Sequence, residues 1–203
     1  MTSATLDGEV RGTAIRTVRD AIDDACGFFD GRTQEHLAAR GLADASVQSW
    51  YDLRDYIAVY DDLIESTGEH TVRRIGKQLG HQLPFDRGVD TLGEALAALD
   101  DSYRRLHRGD AGGYRFESTG AESGRLVCRT PYPAAVEQGL LRALAQRFTD
   151  TGFVTTDTLS TDRQGEFRVT TLGIEWWNGT GTGTDAPGAT VGAGNTSGLA
   201  GAD

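Results

Sequence analysis

Apolar residues recur every three or four positions through the first half of the chain, and this spacing predicts a run of amphipathic helices. Ile15, Val18, Ile22 and Cys26 make one apolar stripe, which Gly27 is placed to end, and residues 31–40 make a short second helix stopped by Gly41. Ser49 is read as the cap of a third helix. Its stripe, Leu53, Tyr56, Ile57, Tyr60, Leu63 and Ile64, lies opposite Asp55, Asp61, Asp62 and Glu65, and Gly68 ends it. A fourth helix carries Val72, Ile75, Leu79 and Leu83 up to Pro84. Thr91 then caps a fifth, with Leu92, Leu96, Leu99, Tyr103 and Leu106 inward and His107 at its end. Each large side chain is worth about 1.5–3 kcal/mol when fully buried, so helices three to five are expected to form the core layer.

Beyond Gly113 the period drops to two. Alternate residues of Tyr114-Arg-Phe116 and of Leu126-Val-Cys128-Arg-Thr130 are apolar or small, and Leu126, Cys128 and Thr130 share the face read as inward. Pro131 and Pro133 stop that strand, and a helical period returns over residues 134–148. Val136, Leu140, Leu141, Leu144 and Phe148 are assigned to the inside of this helix, and Glu137, Arg142 and Arg147 to water. Phe167 and Val169 alternate again, after a turn at Gln164-Gly165. The expected architecture is α+β: an N-terminal helical layer, then a four-stranded antiparallel sheet (ββαββ) with one crossing helix. Residues 1–177 are read as a single domain. Residues 178–203, rich in Gly, Thr and Ala, lack the apolar mass to offset about 1–2 kcal/mol of backbone entropy per residue and are read as a disordered tail. Trp176-Trp177 stands at the junction.

Charge narrows the setting. Thirty acidic residues stand against twenty basic ones, giving a net charge of -10, and Lys77 is the single lysine among those basic residues. That balance reads as a halophilic, archaeal protein whose acids hold water when salt has shortened the screening length to about 3 Å. No basic stripe exists to release phosphate counterions, so nucleic acid is excluded as a partner. No apolar run is long enough for a membrane span, no basic segment followed by an apolar stretch opens the chain, and the expected location is the cytoplasm. Two cysteines, Cys26 and Cys128, are too few for a disulfide framework. No nucleophile elbow, phosphate loop or dinucleotide fingerprint is present, and the paired acids Asp23-Asp24, Asp61-Asp62 and Asp100-Asp101 fall on helix exteriors. No catalytic residue is assigned, and the chain is read as a non-enzyme.

The order of helices, then Leu99-Asp-Asp-Ser-Tyr-Arg-Arg-Leu-His107, the strand Arg125-Leu-Val-Cys-Arg-Thr-Pro-Tyr-Pro133 and the helix Gly139-Leu-Leu-Arg-Ala-Leu-Ala145, resembles one superfamily. It unites the haem nitric-oxide/oxygen-binding (H-NOX) domains, the 4-vinyl-reductase small-molecule-binding domains and the Bet3-like trafficking subunits. The resemblance implies a ligand sensor or a dimeric scaffold. In the haem-binding members a helix histidine ligates iron, and a Tyr-x-Ser-x-Arg strand motif fixes the propionates. His107 matches that histidine in position. On the strand, Thr130 replaces the Ser, but Cys128 and Tyr132 stand where the Tyr and the Arg would be, so no cofactor is expected, haem included. No metal site is expected either, with His107 a ligand only if haem is bound. The leading expectation is a cytoplasmic sensor or regulatory domain that binds a small apolar or aromatic ligand between helices and sheet, through Trp50, Tyr56, Tyr60, Tyr103, His107 and Cys128. The alternatives are a homodimeric assembly subunit, with a protein as its partner, and a haem-based gas sensor.

Overall fold

The computed structural model describes residues 6–25, 30–150 and 153–177. The expectations for Cys26, for the Gly27 stop and for residues 178–203 lie outside these. The helices are α1 (Gly12–Ala25), α2 (Asp30–Ala39), α3 (Leu53–Thr67), α4 (Glu69–Gln82), α5 (Leu92–Ala97), α6 (Leu99–Arg104) and α7 (Ala134–Phe148). The strands are β1 (Asp7–Arg11), β2 (Trp50–Asp52), β3 (His107–Asp110), β4 (Gly113–Gly120), β5 (Ser123–Thr130), β6 (Val154–Gln164) and β7 (Phe167–Trp176). The expected architecture is present: a helical layer precedes a four-stranded antiparallel sheet of order β4-β5-β7-β6, and α7 joins the two hairpins.

Local chemistry explains most boundaries. Gly68 ends α3 at φ 83°, a backbone angle that disfavours any residue with a Cβ, and its N–H donates to the Ile64 carbonyl. Thr91 and Glu94 form a reciprocal capping box at the start of α5. In β5, Leu126, Cys128 and Thr130 are buried as their alternation requires, and Leu126 pairs with Leu172 of β7.

Four readings need correction. Residues 7–11, 50–52 and 107–110 form a second, three-stranded sheet of order β2-β1-β3, in which Val10 stands opposite both Tyr51 and His107. Each strand is too short to show a period and finds its partner far along the chain. Because residues 50–52 are strand, the cap of α3 is Asp52 and not Ser49; its carboxylate accepts from the Arg54 N–H at 2.7 Å. The fifth predicted helix breaks at Ala98 (φ -88°, ψ 2°) into α5 and α6, and α6 ends at Arg104, so that His107 stands on β3, paired with β1, and not at a helix end. Glu137, assigned to water, is buried.

The tightest packing is between α4 and α7. A Cβ on Gly139 would lie 2.0 Å from the Arg73 carbonyl oxygen, and one on Gly76 would lie 2.2 Å from that of Val136. The two backbones touch, so these positions admit glycine only. One continuous core then links the helices to the sheet, from Val10 and Ile15 through Tyr56 and Tyr60 to Leu126, Leu144 and Ile174.

Candidate functional site

At the end of α6 the chain turns sharply, the Leu106 N–H donating to the Tyr103 carbonyl at 2.9 Å, and the turn delivers His107 into the interior as the first residue of β3. Nδ1 of His107 lies 2.9 Å from that same carbonyl oxygen. A carbonyl can only accept, so Nδ1 carries the proton and Nε2 presents its lone pair. That lone pair accepts from the Tyr132 hydroxyl at 2.6 Å. Burial pushes the imidazole pKa down to about 4, so the ring is neutral at neutral pH. The Tyr103 ring stacks on it at 3.8 Å and 14°.

Tyrosines enclose the pair. Tyr132 makes edge contacts with Tyr56 at 6.2 Å and Tyr60 at 5.6 Å between ring centroids. Tyr60 donates to the Tyr56 hydroxyl at 2.8 Å, Tyr56 donates to the Ala14 carbonyl at 3.3 Å, and Tyr103 donates to the Ala111 carbonyl at 2.7 Å. Burial raises the pKa of every one of these phenols, which therefore stay neutral donors.

A second buried network adjoins the first. The Glu137 carboxylate accepts from the Tyr114 hydroxyl at 2.8 Å and from Thr130 Oγ1 at 2.6 Å, and the Tyr114 ring meets Tyr103 edge-on at 5.2 Å. Burial raises the Glu137 pKa, against the pull of its hydrogen bonds from Thr130 and Tyr114. Cys128 is buried as well, and burial, reinforced by the Glu137 charge, lifts its thiol well above the ordinary value, so it is no nucleophile.

Of the residues picked from sequence, Tyr56, Tyr60, Tyr103 and His107 come together. Cys128 stands on the Glu137 side of the cluster. Trp50 is elsewhere, on β2, with the Arg108 guanidinium 4.5 Å above its ring. Tyr132, Tyr114 and Glu137 were not picked. A signal for Glu137 did exist: it precedes Leu140, Leu141 and Leu144 by three, four and seven positions and so shares their buried face. Nothing in the residue order marks Tyr132 as the partner of His107.

No protein-family model matches the chain, and no curated protein matches it. Solved structures do. An H-NOX domain studied for haem distortion shares 14% identity over 87% of this chain and 100% of its own, with a TM-score of 0.65. An oxygen-binding H-NOX domain related to soluble guanylate cyclases gives 13%, 87%, 100% and 0.63. A mutant of the T. tengcongensis H-NOX domain gives 15%, 82%, 95% and 0.56. The chain has an H-NOX-like fold. This likeness overturns the expectation of no cofactor, haem included. That expectation rested on Cys128 and Tyr132 alone, whereas the neighbours that share the fold are haem domains. A strand motif of three side chains can change while the fold that surrounds a cofactor persists.

Proposed function

We propose that the chain is a haem-linked sensor domain in which His107 would hold the haem iron and a small gas is the signal. One observation carries this reading: the Nδ1–H of His107 is committed to the Tyr103 carbonyl, so the neutral ring directs its Nε2 lone pair inward, as a metal-bound imidazole oriented by its outer partner does. The donor suits haem iron, and the Tyr132 hydroxyl that holds Nε2 would have to move for the group to bind. Iron porphyrin, when bound, supplies a coordination position for a diatomic gas. The protein's part is to hold the imidazole neutral and fixed in direction, to line the site with apolar ring faces, and to keep water out.

Near the strand end, Arg168 stands opposite Thr130 on β7, and its charge acts on Glu137. Thr130 is engaged by Glu137, and Arg129 lies over the Phe167 ring at 3.9 Å and pairs with Asp110 at 3.2 Å. His107 and the apolar ring faces would hold the group, with Arg168 at the strand end as a cation for a carboxylate. We read the chain as a domain without catalysis of its own, whose output is a contact with a protein partner. The excess of acids and the single lysine support a high-salt cytoplasm as its setting. Among the described residues no helix is long and apolar enough to cross a membrane.

The test is titration of the purified protein with haemin, followed by reduction and exposure to nitric oxide. A saturable Soret band is expected, lost in His107→Gly and restored there by added imidazole. A band of equal strength in His107→Gly without imidazole, or none in the wild type, removes the proposal.

A further inference from the structure

We infer that Tyr132 is a built-in competitor for His107, whose hydroxyl must leave the imidazole before any metal can take it, and that this departure is transmitted to α7. The inference rests on the haem reading above and adds a gate to it. Nε2 of a neutral imidazole has one lone pair, and the Tyr132 hydroxyl already holds it at 2.6 Å. A phenol hydrogen bond and a coordinate bond to that nitrogen are mutually exclusive. The phenol ring is also wedged among Tyr56, Tyr60 and Tyr103, so it cannot yield without a shift of its own backbone or of its neighbours.

The backbone around Tyr132 makes such a shift consequential. Pro131, Tyr132 and Pro133 are the whole connection between β5 and α7, and the two proline rings fix φ on either side of the tyrosine. Motion at Tyr132 therefore passes to its ends. On one side is Thr130, bonded to Glu137; on the other is the first turn of α7, where the Val136 N–H donates to the Pro133 carbonyl at 2.9 Å. That turn has no slack against α4, because the Val136 carbonyl oxygen faces Gly76 at a distance that leaves no room for a Cβ. Occupancy of His107 is thus coupled, through three residues, to the position of α7 on α4. The loss of a neutral hydroxyl-to-imidazole hydrogen bond changes an equilibrium by about two- to tenfold.

Tyr132→Phe keeps the ring and removes the competitor. Its haemin affinity should be about two- to tenfold tighter than that of the wild type. Without haemin, the 15N resonance of His107 Nε2 should move to the position of an unbonded nitrogen. On haemin addition to the wild type, the backbone amides of Tyr132 and residues 134–137 should shift, more than those of α2, which packs on α1 and α3. Equal affinities in wild type and Tyr132→Phe, with binding still abolished in His107→Gly, would overturn the gate and leave the haem reading standing. No haemin binding in wild type, Tyr132→Phe or Tyr132→Ala would overturn both. An unmoved Nε2 resonance in Tyr132→Phe overturns the competition itself, whatever haemin does. Should Tyr132→Phe misfold, the wild-type amide shifts decide: a change confined to His107 and its ring neighbours would sink the coupling to α7.

Discussion

His107 and Glu137 are two buried titratable groups with opposite consequences for stability. The His107 pKa falls from 6.5 to about 4 on folding because burial disfavours the charged ring. Below pH 6.5 the unfolded chain takes up a proton that the native ring refuses, so stability is complete above that pH and declines as pH falls toward 4, by about 3 kcal/mol. Glu137 is raised, so its contribution is full below its ordinary value of 4.5 and is lost as pH climbs through the native value. Urea midpoints of wild type and His107→Gln, measured between pH 4 and 7, separate the two: the wild type should lose stability relative to the variant on acidification, and parallel curves would contradict a buried neutral ring. At Glu137 the hydrogen bonds decide. Glu137→Ala leaves the hydroxyls of Tyr114 and Thr130 without their acceptor and should cost about 2–5 kcal/mol, whereas Glu137→Gln keeps an acceptor and should cost less than half of that. Equal losses in urea unfolding would mean that the acceptor does not matter.

At the scale of the element, α7 is specified by two different surfaces. Toward α4 it is smooth. Gly139→Ala would drive a methyl into the Arg73 carbonyl, and since neither backbone can retreat without dragging its helix, a loss of at least about 1–3 kcal/mol is expected. The same substitution at Gly41, where a Cβ meets nothing but φ is 68°, carries backbone strain without a helix clash, and the difference in denaturation midpoints isolates the packing. On its apolar side, Leu141 is buried and Arg142 exposed. Leu141→Ala should cost about 2–5 kcal/mol and Arg142→Ala no more than about 0.5 kcal/mol. A neutral Leu141→Ala would mean that α7 does not depend on that side chain for its seat.

For the whole molecule, the net charge of -10 acts as a distributed self-repulsion that salt removes. The exposed ion pairs, such as Arg54 with Glu166 at 3.1 Å, weaken in salt but are worth little individually, so relief of repulsion should dominate. The melting temperature should rise from low salt to molar KCl, and a fall would show that the ion pairs matter more. The proposal that residues 1–177 fold alone has an equally simple check: deletion of residues 178–203 should leave the urea midpoint unchanged within about 0.5 kcal/mol.

The helices, their caps at Thr91 and Gly68, and the inward face of Leu126, Cys128 and Thr130 could be read from the residues alone, because each depends on neighbours within a few positions. What brings Val10 beside His107, or the Tyr132 hydroxyl to its ring, is pairing between segments whose chain separation carries no local signal. The end of α6 at Arg104 follows from the same cause, since the three-stranded sheet requires residue 107 to be extended. Glu137 shows the limit most plainly. Its spacing put it on the buried face and its charge argued for water, and only the folded positions of Tyr114 and Thr130, two hydroxyls able to satisfy a carboxylate, decided between them. Periodicity determined the main helices and the four-stranded sheet, long-range pairing determined the three short strands, and the meeting of distant polar groups in a low-dielectric interior determined what the site is.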